Sequence, residues 1–143
     1  MDRLVYQPLD SSKSEIRLLS IVPDPLDGPV RCTLHVVSLD CTPVFRALSY
    51  VWGDASITED ITIESCKLAV TTNLEAALRA VRRCHRNDGT EMPLWADAVC
   101  IEQANLAERS SQVKLMYRNF RLGITRILLD KSRSRRGSIS GNR

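Results

Sequence analysis

The 143-residue sequence predicts an α/β fold, a mixed, mostly parallel sheet flanked by helices. Three observations lead there. Strand patterns dominate the first half of the chain. Strand and helix patterns alternate in the second half, as they do when helices pack on a sheet. A short hairpin between the halves implies some antiparallel pairing.

The elements follow in order. Tyr6-Gln7-Pro8-Leu9 reads as an extended arm. Ile16 to Val22 reads as a strand, closed by a loop holding Pro23, Pro25, Gly28 and Pro29. Val30 to Leu39 alternates, with Val30, Cys32, Leu34 and Val36 on one face and Arg31, Thr33 and His35 on the other. That period of two predicts a strand with one wet face. Phe45 to Trp52 is more continuously apolar and so more central. Ile61–Ile63 and Lys67–Val70 form the hairpin around Glu64-Ser65-Cys66. A helix follows with Asn73 as its N-cap, Leu74, Ala77, Leu78 and Val81 as its apolar stripe, and a stop at Asn87-Asp88-Gly89. Arg79, Arg82, Arg83 and Arg86 are expected on its solvated side. No aromatic residues interleave with them, so nucleic-acid binding is not expected. Leu94 to Cys100 reads as a central strand. The next helix opens at Asn105 and buries Val113, Met116, Tyr117 and Phe120. Ile124 to Leu129 reads as a final strand. The expected organisation is one domain over 1–130, cut short at its C-terminal end, and a disordered basic tail over 131–143.

Charge divides the same way. Residues 1–130 carry 15 Lys/Arg against 17 Asp/Glu, a net of −2. Residues 131–143 carry Lys131, Arg133, Arg135, Arg136 and Arg143 with no acid, a net of +5. The folded part is therefore not a basic, polyanion-seeking surface. No apolar run is long enough to span a bilayer and no cleavable leader opens the chain, so a cytoplasmic protein is expected. Five cysteines, odd in number and without a C-x-x-C pair, agree with reduced thiols. With only two histidines, no metal site is expected.

The chemistry-bearing residues gather at the ends of two apolar segments that hold both tryptophans, Ala47 to Asp54 and Leu94 to Gln103. Open α/β sheets bind ligands beyond the carboxyl ends of their strands. Asp97 interrupts an apolar run, and an isolated charge there is costly unless paired or placed at a strand's mouth. It reads either as a site carboxylate or as an Asp bonded to backbone donors or to Arg46 or Arg109. Glu102, Gln103 and Asn105 read as a ligand-facing loop or as plain loop polarity. Asn105-x-x-Glu108 is a near match to a capping box, which favours a capping role for Glu108 without excluding a ligand. Trp52-Gly53-Asp54 reads as a turn or as a ligand-facing loop. His35 and His85 fall on exteriors, so no nucleophilic triad is formed. No glycine-rich nucleotide fingerprint is present.

These segments resemble the heterokaryon-incompatibility (HET) domain of filamentous fungi over most of residues 4–120. The resemblance is carried by Ile16-Arg17-Leu18-Leu19, Phe45 to Asp54, Asn73-Leu74 with Ala77-Leu78, and Leu94 to Gln103. Asn105, Glu108-Arg109, Gln112-Val113 and Met116 follow in register. It implies a role in fungal non-self recognition and cell-death signalling, through protein partners or self-association. Trp52, Gly53, Asp54, Asp97, Gln103, Asn105 and Arg109 would form the working edge. It also implies a distant likeness to TIR domains. By that analogy the alternative is an NAD-cleaving enzyme using Glu108 or Glu102, with NAD as substrate and no bound cofactor. The sequence departs from the family after Met116, where Tyr117 to Leu129 replaces a strand rich in Val and Trp. That departure supports a further alternative, a truncated inert or regulatory fragment.

Overall fold

A computed structural model describes residues 4–23, 28–50, 53–88, 92–121 and 126–129. Seven strands form one mixed sheet in the order β5-β4-β2-β1-β6-β3-β7. They are β1 (Glu15–Ile21), β2 (Arg31–Ser38), β3 (Arg46–Tyr50), β4 (Thr58–Ile63), β5 (Cys66–Thr71), β6 (Leu94–Trp95) and β7 (Arg126–Leu129). The helices are α1 (Thr72–Asp88), α2 (Asp97–Cys100) and α3 (Leu106–Arg121). The α/β class and the mixed sheet are as expected. The six pairings divide evenly, however, where a parallel majority was expected. β2–β4, β3–β6 and β3–β7 are parallel, while β1–β2, β1–β6 and β4–β5 are antiparallel.

β1 is the middle strand. Ile16, Arg17, Leu18, Leu19 and Ile21 are buried, so both of its faces are covered. β2 alternates as its sequence predicts, with Cys32 buried and Arg31, Thr33 and His35 exposed. The hairpin is longer than expected. β4 and β5 pair from Thr58↔Thr71 to Ile63↔Cys66 across a two-residue turn. Its residues Glu64 and Ser65 both lie at positive φ, 51° and 70°. Only such a mirror-image turn matches the twist of the strands. Glu64 is anchored on both sides, its N–H donating to the Cys32 carbonyl (3.1 Å) and its carboxylate accepting from the Leu34 N–H (2.8 Å).

Four expectations are corrected. The run from Leu94 to Cys100 is strand only at Leu94–Trp95, then turns at Ala96 into the single turn α2. Thr71, not Asn73, caps α1, its hydroxyl accepting from the Leu74 N–H (3.3 Å). Arg82 is buried, and its guanidinium donates to the Pro29 carbonyl (3.2 Å). It sits four residues after Leu78, hence on the apolar stripe and not opposite it. In α3, Val113 is exposed while its neighbour Gln112 is buried beside Met116. The first two strands lie within a residue of their expected limits, and α3 opens directly after Asn105 as expected. Gly89, most of the proline-rich loop, the side chains of Tyr117 and Phe120, and the tail 131–143 lie outside the described residues. One core cluster links the sheet to α1 and α2, through Ile16, Leu18, Leu74, Leu78, Leu94 and Val99 among others. Among the described residues no helix is long and apolar enough to cross a membrane.

Candidate functional site

β3, β6 and β7 run parallel, so their carboxyl ends share one end of the sheet. β1 runs against β6, which brings its amino end, Glu15, to that same end. The segment from Asp97 to Asn105 springs from β6 there and leads into α3.

Arg17 organises this corner. It is 2% exposed, in the middle of an apolar strand. One guanidinium nitrogen donates to Glu108 Oε2 (2.6 Å) and to the Cys100 carbonyl (3.0 Å). The other donates to Glu108 Oε1 (3.1 Å) and to the Gln7 carbonyl (2.6 Å). The pair is bidentate, the geometry a guanidinium fork provides and an ammonium does not. The Tyr6 ring lies against the guanidinium, 4.7 Å from its centroid, a cation–π contact. The Tyr6 hydroxyl donates to the Val99 carbonyl (2.8 Å). Burial, with the negative charges nearby, pushes this phenol up to about 12. Four segments distant in sequence, the N-terminal arm, β1, α2 and α3, thus meet on one cation.

Glu108 is the acid of this clasp. Burial alone would raise its carboxyl, but the hydrogen bonds from Arg17 and from the Glu102 N–H (2.7 Å), with the Arg17 charge, hold it below the usual carboxylate range. Half of the expected capping box is present. Asn105 Oδ1 accepts from the Glu108 N–H (3.0 Å), and its carbonyl accepts from the Arg109 N–H (3.0 Å). The reciprocal bond is absent, because the Glu108 carboxylate faces Arg17 instead. Gln103 folds back on its own loop, donating to the carbonyls of Asp97 (2.7 Å) and Ile101 (3.3 Å). Asp97 opens α2 as its first residue. Burial raises its carboxyl, partly offset by the backbone N–H groups of Ala98 and Asp97. Beneath it Cys100 is fully buried, its thiol pushed up to about 12 by desolvation.

The structure therefore joins Glu102, Asn105 and Glu108 at Arg17, and joins Gln103 to Asp97. Gly53 and Asp54 stand apart, with no hydrogen bond to that group among the described residues. Asp54 closes a turn by accepting from the Ser56 N–H (2.9 Å) and hydroxyl (2.6 Å), which hold its carboxyl low. Gly53, at φ +76°, lies against the Asn73 side chain, where a Cβ would meet Nδ2 at 2.6 Å. Trp52 lies outside the described residues, and Arg109 is exposed. Sequence reasoning missed Arg17, Tyr6 and Gln112. Arg17 carried the same signal as Asp97, a lone charge in an apolar run.

Beside the clasp, between the N-terminal arm and α3, runs an open groove of about 950 Å³. Its walls include Tyr6, Glu15, Glu102, Glu108, Gln112 and Lys114. The Glu102 carboxylate makes no hydrogen bond among the described residues, and no described group of three or more His, Cys, Asp or Glu is placed to hold a metal.

A family model described as heterokaryon incompatibility protein (HET) matches residues 45–138. Among curated proteins the chain is similar to "Heterokaryon incompatibility protein 6, OR allele" of Neurospora crassa, at 33% identity over 118 residues. That match covers 76% of this chain and 17% of the Neurospora protein, so the chain spans only a small part of that relative's length. No solved structure matches the chain.

Proposed function

Because the chain belongs to the heterokaryon incompatibility (HET) family, we propose that it serves in fungal non-self recognition, as a cytoplasmic module that signals cell death through protein contacts. The observation that carries this reading is the similarity to the Neurospora incompatibility protein over three quarters of the chain. The geometry supports an interaction surface over a reaction centre. Gln103, Asn105 and Glu108 are spent on internal bonds that hold the loop and the start of α3 together. Arg17 keeps Glu108 ionised, which suits a structural anion better than a group that must exchange a proton near neutrality.

A second reading, cleavage of NAD by analogy with TIR domains, is favoured by one observation. Glu102 lines the groove with its carboxylate uncommitted. A carboxylate so placed could stabilise the cationic sugar as nicotinamide leaves. Under this reading NAD is the substrate, and Glu102 is a better candidate than Glu108.

Expression of the chain in yeast, with viability and cellular NAD followed together, tests both. Death with NAD intact, unchanged by Glu102→Gln, is expected. Death with NAD loss that Glu102→Gln reduces by about 10²-fold or more would replace the first reading with the second. Normal growth with a demonstrably folded product would overturn both and leave an inert or regulatory fragment.

A further inference from the structure

Residues 4–9 are held on the domain as a bound peptide is held. They join no strand of the sheet. Side chains fix them instead. Leu4 packs against the core, and the Tyr6 ring lies on the Arg17 guanidinium, 4.7 Å from its centroid. The Tyr6 hydroxyl donates to the Val99 carbonyl (2.8 Å), and the Gln7 carbonyl accepts from Arg17 (2.6 Å). Arg17 is 2% exposed, so the socket is built into the core and does not depend on the arm being its own. The arm of a second copy carries the same Leu4, Tyr6 and Gln7 and fits it equally.

A strained hinge lies between the arm and β1. Asp10, Ser12 and Lys13 are exposed, and the turn is closed by local bonds. The Lys13 N–H donates to the Asp10 carbonyl (3.1 Å), and the Ser12 N–H and hydroxyl donate to the Asp10 carboxylate (3.0 and 2.6 Å). Ser14 follows at φ 52°, a left-handed conformation that a β-carbon disfavours. Its carbonyl accepts from the Leu39 N–H (2.9 Å), so the chain is fixed from Ser14 onward. Short hinges under strain favour exchange of the element they carry, because opening relieves the strain and the other contacts are remade. We propose that two copies of the chain exchange their N-terminal arms, each placing Leu4, Tyr6 and the Gln7 carbonyl in the Arg17 socket of the other. Tyr6, Pro8 and Leu9 also wall the groove of about 950 Å³. In the exchanged dimer each groove is therefore completed by the second copy. The exchange rests on the arm and its hinge, and holds for either reading of the groove.

Hinge variants and a photo-cross-link test this. Proline fixes φ near −65° and cannot adopt the Ser14 angle, so Ser14→Pro should hold the hinge open and give a dimer by light scattering. Ser14→Gly, which accepts the closed hinge without strain, should be monomeric. The unchanged chain, refolded from urea, should give dimer at high protein concentration and monomer at low, a readout that does not depend on a variant folding. A benzophenone side chain at Val5, a position 84% exposed, locates the arm. Val5 borders Leu34, His35 and Val36 of β2. In unlabelled and ¹⁵N-labelled chains refolded together, the expected link joins residue 5 of one chain to residues 34–36 of the other. Tyr6→Ala should remove dimer and link together. Links to 34–36 only within one chain would overturn the proposal. So would a dimer whose cross-chain links fall elsewhere or that survives Tyr6→Ala, and so would a chain that stays monomeric both as Ser14→Pro and on concentrated refolding.

Discussion

A guanidinium inside a sheet is tolerated only while its partners remain. Removing one partner of a buried pair leaves an uncompensated charge and costs about 3–5 kcal/mol. Arg17→Ala is therefore expected to destabilise the fold by about that much in urea unfolding, and Arg17→Met with Glu108→Gln by clearly less. The pH dependence follows from the carboxyl. Glu108 is depressed in the folded state, so its contribution is complete above the ordinary carboxylate value of about 4.3 and is lost as pH falls below it. Glu108→Gln should flatten that acid limb. Asp97 has the opposite sign, because burial raises its carboxyl. Asp97→Asn should stabilise modestly at neutral pH and change little below about pH 4. Thiol labelling separates the cysteines in the same way. Cys41 and Cys84 are exposed and should react in the native state, whereas Cys32 and Cys100, buried and pushed up to about 12, should react only on unfolding. At this scale the sequence pointed to the right region and missed its centre. Glu102, Asn105 and Glu108 stood out by their spacing. Arg17 showed in the sequence only as a lone charge in an apolar run, and its role appears only with its partners, which are 83 and 91 residues away.

Among the elements, the hairpin turn was readable as a turn but not as this turn. Glu-Ser is an unusual pair for a loop with two positive φ angles, which normally calls for Asn-Gly. The strain is offset by two bonds of Glu64 to β2, one donated by its N–H and one accepted by its carboxylate. Ser65→Gly is accordingly expected to raise the melting temperature, by up to about 1 kcal/mol of added stability, since glycine adopts positive φ without a steric cost. Gly53→Ala should do the reverse, because both its φ and the Asn73 contact reject a side chain. The error at Leu94–Cys100 has a physical origin. A short apolar run has the same pattern in a buried strand and in a buried helical turn. Asp97 was the sign of a break, since the strand ends at Trp95 and Asp97 is the first residue of α2. The displaced cap of α1 is a smaller case. Thr71, Thr72 and Asn73 all cap well, and the pairing of β5 up to Thr71 decides among them.

Across the whole molecule, composition and strand–helix alternation were enough for the class, while the sheet order was not readable. Nothing local says that β1 pairs with β6, some 75 positions away, or that β3 lies between β6 and β7. The placement of β1 at the centre makes its amides the slowest to exchange with deuterium, and those of the edge strand β5 among the fastest. The Arg17 clasp has a further consequence, for the order of folding. Its bonds to Glu108 and from Tyr6 to Val99 close loops of 91 and 93 residues, and Gln112 to Glu15 one of 97. Contacts so distant in the chain carry a large entropic cost before they repay it. They are expected to form after the transition state, once the hairpin and α1 have condensed. Tyr6→Phe and Arg17→Met should then accelerate unfolding while leaving the refolding limb of the chevron almost unmoved. The clasp would act as a latch on the unfolding rate, setting how long the native molecule persists rather than how fast it is made.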